Sequence, residues 1–180
     1  MNSRTVKVFY LLPFFIFLTA CLTPRPQAQP FENPIESRLI LQVPYFSETD
    51  LNCGPASLAS VLSYYGKPAK VADIIEALNG MDKGYTLAVL ARQAEMKADV
   101  TPGSPEMLVE AVRANKPLIV RVDRACGPLN AGQYAVVAGY TPDGAVVNSG
   151  HTHQQIVPWA DFLGGWYAAS YFSIAIEPLK

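Results

Sequence analysis

Apolar positions in this chain recur with two different periods. Leu58, Val61, Leu62 and Tyr65 fall at i, i+3, i+4 and i+7, so a helix is predicted from about Cys53 to Tyr65. Pro55 is tolerated in its first turn and Gly66 supplies its stop. Val71 to Leu78 reads as a second helix closed by Asn79-Gly80, and Thr86 is expected to cap a third that runs to about Glu95. Ser104-Pro105-Glu106 opens a fourth, ending near Asn115. Near Pro117 the pattern changes to strands: Leu118 to Val122, Tyr134 to Tyr140, Ala145 to Asn148 and Tyr171 to Ile176. Pro142-Asp143-Gly144 is the turn of a hairpin, and Leu39 to Val43 before Pro44 is a strand or extended lead-in. Helices first and strands after predict an α+β domain, an N-terminal helical half packed on a C-terminal antiparallel sheet.

One apolar run fits neither period. Val8 to Phe17 follows Arg4 and Lys7 and precedes small residues and Cys21, the layout of an export signal. At about ten residues it is half of the roughly twenty that a membrane-spanning helix needs. Leu18-Thr19-Ala20-Cys21 resembles the bacterial lipobox, which implies cleavage before Cys21 and lipidation of that cysteine. An ordinary secretory signal or an uncleaved anchor is the alternative. Leu22 follows the cysteine, not the aspartate that holds some lipoproteins at the inner membrane, so outer-membrane attachment on the periplasmic face is favoured.

The expected organisation is therefore a signal over 1–20, a lipidated, proline-rich tether over 21–37 and one domain over 38–180. Pro24, Pro26, Pro30 and Pro34 suit an extended spacer, which at roughly 3 Å per residue keeps the domain within about 50 Å of its membrane. Half of all residues are apolar, enough for one substantial core. Removing Arg4 and Lys7 from the fourteen basic side chains leaves twelve against fifteen acidic ones, a net charge of −3. A nucleic-acid surface is not indicated.

Candidate chemistry sits at the start of the first helix. Asn52-Cys53-Gly54-Pro55-Ala56-Ser57 places a cysteine where first-turn N–H groups and the positive end of the helix dipole favour the thiolate, the nucleophilic form. Export also puts Cys53 and Cys126 in an oxidising compartment, where they are a candidate disulfide.

With Val43-Pro44-Tyr45-Phe46 before it and Leu62-Ser63-Tyr64-Tyr65-Gly66 after it, the Cys53 segment resembles the bacteriocin-processing, double-glycine leader peptidases of cysteine peptidase family 39. Gln133-Tyr134-Ala135-Val136-Val137-Ala138-Gly139-Tyr140 resembles that family's His-aromatic-x-Val-Val-x-Gly-Tyr strand. Val157-Pro158-Trp159 with Phe162 and Trp166 resembles its closing segment. The resemblance spans about 40–178 and implies a papain-like fold. It places the nucleophile on Cys53, the oxyanion-stabilising glutamine on Glu48, the catalytic histidine on Gln133 and the orienting aspartate on Ser149, with Asn148 beside it.

Three of those four positions carry the wrong chemistry. A glutamine amide does not take up a thiol proton and return it to a leaving amine near neutral pH. An ionised Glu48 would repel a developing oxyanion, where losing a single donor already costs roughly 3 kcal/mol. His151 and His153 follow shortly after Ser149 and are candidates for a relocated base, or else surface loop residues.

Three readings follow. The domain binds a peptide or protein client of the envelope with degenerate catalysis; or it is an active thiol peptidase or amide-acyl transferase with an unusual base; or Cys53 and Cys126 form a redox-sensitive structural pair. No cofactor or metal is implied, since a lone His-x-His is weak evidence for a zinc site. Cys126-Gly127-Pro128 repeats the tripeptide at Cys53 without a helical pattern behind it, and Tyr64, Tyr65, Trp159 and Trp166 are a binding stripe or core.

Overall fold

The computed structural model describes residues 37–47, 49, 52–79, 83–123, 125–127 and 129–179. The signal, the tether through residue 36, Cys21 and Glu48 lie outside the described residues. In chain order the elements are β1 (Leu39–Ile40), α1 (Cys53–Tyr64), α2 (Val71–Leu78), α3 (Lys83–Gln93), β2 (Met96–Pro102), α4 (Pro105–Arg113), β3 (Leu118–Val122), β4 (Gln133–Tyr140), β5 (Gly144–Ser149), β6 (Thr152–Pro158), α5 (Trp159–Ala168) and β7 (Phe172–Pro178). The strands form one antiparallel sheet in the order β2-β7-β3-β4-β5-β6, with β1 paired to the far end of β4. The class is α+β, as the pattern of periods predicts, and five helices on one antiparallel sheet fit the papain-like fold that the family resemblance implies. No helix among the described residues is long and apolar enough to cross a membrane.

β4 is the centre of this architecture. All eight of its residues are buried, because β3 and β5 flank it and helices pack on it. Helix α1 presses on it with Leu58, Ala59 and Val61 at zero exposure, each large apolar side chain contributing about 1.5–3 kcal/mol of burial. Ten consecutive residues of α1, Cys53 to Leu62, are buried, so its sequence cannot show a polar face. The helix ends as predicted: Gly66 is left-handed at φ 76°, its N–H bonds Ser63 O, and Lys67 N–H bonds Leu62 O. Ser104 caps α4 by accepting the Met107 N–H at 3.1 Å.

Two expectations need correction, and three elements stand where none was expected. Thr86 does not cap α3; the helix starts three residues earlier, at Lys83, and Thr86 lies inside it. Met96 to Pro102 is a strand: Met96 and Ala98 are buried and Lys97 and Asp99 exposed, and all seven residues pair with β7. Its charges belong to an edge strand, where one face and one backbone edge meet water. Thr152 to Pro158 is likewise an edge strand, with Val157 its only buried residue. Trp159 to Ala168 is a helix in which Gly164 and Gly165 are buried, with Gly165 O accepting the Asp123 N–H. A boundary at Pro117 is therefore too simple, since a strand of the sheet precedes it and a helix follows it.

Candidate active site

Cys53 is the first residue of α1, and its side chain is 2% exposed. No acidic residue stands in the first turn of that helix, so nothing there opposes the dipole's preference for a thiolate. Across from it, the Tyr134 N–H of β4 donates to the Cys53 sulfur at 3.2 Å. Through its carbonyl the same residue accepts the Ser149 hydroxyl proton at 3.0 Å, on the same edge of the strand. The β4–β5 ladder extends no further this way than Val136 opposite Asn148, so at Tyr134 two side chains stand where a strand would otherwise bond.

Gln133 is adjacent and buried. Its side-chain oxygen accepts the Asn130 N–H at 2.8 Å while its own N–H donates to Asn130 O at 3.3 Å, closing the turn that leads into β4. Asn148 is engaged in the same way: its oxygen accepts the Gln154 N–H at 2.8 Å and its amide donates to Val43 O at 3.5 Å.

The segment from Val43 to Phe46 lies over this end of the sheet. Tyr45 donates its hydroxyl proton to Gly150 O at 2.8 Å, and its ring stacks on His153 with centroids 5.1 Å apart and planes 20° from parallel. Tyr45 and Phe46 close a pocket whose other lining includes Cys53, Ser57, Asn148 and Ser149. Its volume of about 10 Å³ is the space for one water molecule.

Cys53, Ser149 and Asn148 thus meet at one pocket, with Gln133 next to Tyr134 on the strand that faces the sulfur. His153 reaches the pocket only through the Tyr45 ring, and His151 and His153 are both exposed. Cys126 is buried in a turn in which it and Leu129 exchange backbone hydrogen bonds, and it is not among the residues lining the Cys53 pocket. No disulfide joins Cys53 to Cys126 in this structure. Among the described residues no three His, Cys, Asp or Glu side chains group to hold a metal ion.

Two contributors were not singled out in the sequence. Ser57 follows Cys53 at i+4, so helical spacing alone places both on one face. The Tyr134 N–H had no such signal, since a backbone donor carries no residue type. Of the aromatic residues Trp166 is core, and Tyr64, Tyr65 and Trp159 are half-buried against it. Trp159, Phe162 and Trp166 contact one another along α5, and the two indole N–H groups donate to Thr141 O and Phe172 O. Tyr64 donates to Asn115 O, and burial pushes the Tyr65 phenol up to about 12, with Tyr64 and Glu177 adding to the effect.

Residues 40–174 match the model of the Peptidase_C39 like family. The chain belongs to that family. Solved structures agree with it at the level of fold. A double-glycine motif protease of an AMS/PCAT transporter, crystallised with its leader peptide, aligns at 20% identity and a TM-score of 0.63, covering 80% of this chain and 97% of that one. A putative C39-like peptidase from Bacillus anthracis aligns at 18% identity and 0.70, covering 81% and 100%. The peptidase domain of Streptococcus ComA, a bifunctional ABC transporter, aligns at 21% identity and 0.58, covering 79% and 98%. The comparison with curated proteins found no match. Gln133 is engaged by Asn130 and Ser149 by Tyr134.

Proposed function

We propose that this protein is a lipoprotein, anchored through Cys21 on the periplasmic face of a membrane, the outer one by preference, whose C39-like domain holds a peptide or protein client and has lost ordinary peptidase turnover. The observation that carries the loss of turnover is Gln133: an amide with its oxygen tied to Asn130 N–H neither accepts the Cys53 proton nor delivers one to a leaving amine. The near-complete burial of Cys53 under Tyr45 and Phe46 supports the same reading. A peptide client is supported by kinship with leader peptidases, one of which was crystallised with its leader. The lipid anchor rests on Leu18-Thr19-Ala20-Cys21 and the proline-rich tether.

The test compares wild type with Cys53→Ala on an array of extended peptides. Equal retention by both supports client holding, whereas retention that disappears with the sulfur points to covalent chemistry. Growth with an alkyne fatty acid is expected to label the wild type and not Cys21→Ser.

One observation favours the active alternative. His153 stacks on Tyr45, which lines the Cys53 pocket, so an imidazole stands one ring behind the pocket wall. An active enzyme with this base loses hydrolysis when His153, or His151 two residues before it, becomes alanine. Hydrolysis that survives both replacements removes the relocated base.

A further inference from the structure

Ser149 stands where the resemblance puts the family's aspartate, yet it has no histidine to orient. Its hydroxyl is spent on Tyr134 O, and the N–H of the same residue is spent on the Cys53 sulfur. Both contacts are buried, with Ser149 at 7% and Cys53 at 2% exposure. Tyr134 pairs with Arg121 of β3 and lies past the last β4–β5 ladder pair, so on the β5 edge the Ser149 and Cys53 side chains stand in the places of ladder partners. Ser149 itself sits at a register shift in the β5–β6 pairing, between Val147 and Ser149.

We propose that Ser149 is a positioning residue for Cys53: by holding Tyr134 O it sets the Tyr134 N–H against the sulfur and so favours the thiolate in a site that has lost its general base. The physical basis is that a hydrogen bond donated to the charged form of a group stabilises that form. An N–H held from its own residue's carbonyl gives that bond a fixed direction, whereas an unheld one shares its time with other geometries. Among the described residues lining the pocket, Tyr45 is the only titratable group besides Cys53, with His153 stacked behind it. This assignment rests on the reading of Cys53 as the nucleophile position. It deepens that reading by naming what replaces the lost base as the group's electrostatic support.

The experiment is iodoacetamide alkylation of Cys53 across pH, followed by peptide mass spectrometry so that Cys126 is scored separately. It is run on the wild type, Ser149→Ala and Ser149→Thr. Ser149→Ala is expected to raise the midpoint of the Cys53 profile by about 1 unit, and Ser149→Thr, which keeps the hydroxyl, to leave it near the wild-type value. A folded Ser149→Ala with the wild-type midpoint overturns the proposal. If Ser149→Ala does not fold, the wild type still decides. The Tyr134 amide proton resonance is expected to shift with the Cys53 midpoint, and an amide that ignores the titration overturns the assignment. Client retention plays no part in these readouts, so the binding reading and this one fail separately.

Discussion

The two ends of β4 are closed in different ways. At Gly139–Tyr140 the partners are backbone: Leu39 and Ile40 of β1 on one side and Ala145 and Val146 of β5 on the other. At Gln133–Tyr134 β3 still pairs through backbone on one edge, but on the other the Cys53 sulfur and the Ser149 hydroxyl take the places of a strand, and the Gln133 side chain bonds Asn130 N–H. Backbone pairing constrains chain geometry and leaves side-chain identity open, apart from the glycine that close approach demands. Side-chain pairing constrains identity, and it leaves a polar pocket where the ladder stops. The candidate site is therefore at the end where the sheet runs out of strands, and its residues serve both the fold and the chemistry.

Breaking the backbone-closed end has the largest expected effect. A Cβ on Gly139 would stand 2.4 Å from Leu39 O, and backbone there does not yield cheaply. Gly139→Val is expected to cost about 3 kcal/mol in urea unfolding while leaving the Cys53 alkylation midpoint unchanged. A shifted midpoint would show that the two ends are coupled.

Breaking the side-chain-closed end costs less. Cys53→Ala removes the acceptor of a buried N–H and is expected to cost about 1–2 kcal/mol, whereas Cys53→Ser keeps an acceptor and should recover part of that loss. If both variants match wild type, the sulfur is not holding Tyr134 and the comparison loses one of its members.

The smallest effect sits away from both ends. Lys116 and Lys97 bond the exposed Glu177 carboxylate on β7 and hold its pKa at about 2. Because the folded value is depressed, the stabilisation is complete above the ordinary carboxyl range and is lost as pH falls through that range toward 2. Glu177→Gln is expected to flatten the acid side of the stability profile in that window, with no change in Cys53 alkylation. An unaltered acid limb would make these ion pairs energetically silent, as exposed pairs often are.

What the sequence made legible follows the same division. The central strands and α1 were visible because long apolar runs with a clear period leave few alternatives. The edge strands were not anticipated: β2 does alternate apolar and polar residues from Met96 to Thr101, a short period of two directly behind a helix, whereas β6 opens with Thr-His-Gln-Gln and has one buried residue, too few to declare a period. Helix α5 was hidden by Gly164-Gly165, which tertiary packing holds helical against local preference. At the site, the family motifs placed Cys53, Gln133 and Ser149 in one neighbourhood. Their hydrogen-bond partners were not legible, since these are a turn N–H, a strand N–H and a strand carbonyl, groups that every residue but proline offers alike.

The measurement that bears most directly on the proposed loss of turnover is proteolysis by the mature protein. A mixed peptide library that includes double-glycine sequences is incubated with wild type and with Cys53→Ala at neutral pH, and new termini are counted by mass spectrometry. The expected result is no cleavage by wild type above the Cys53→Ala background. Reproducible cleavage that requires Cys53 would contradict it and make this C39-like domain an active peptidase.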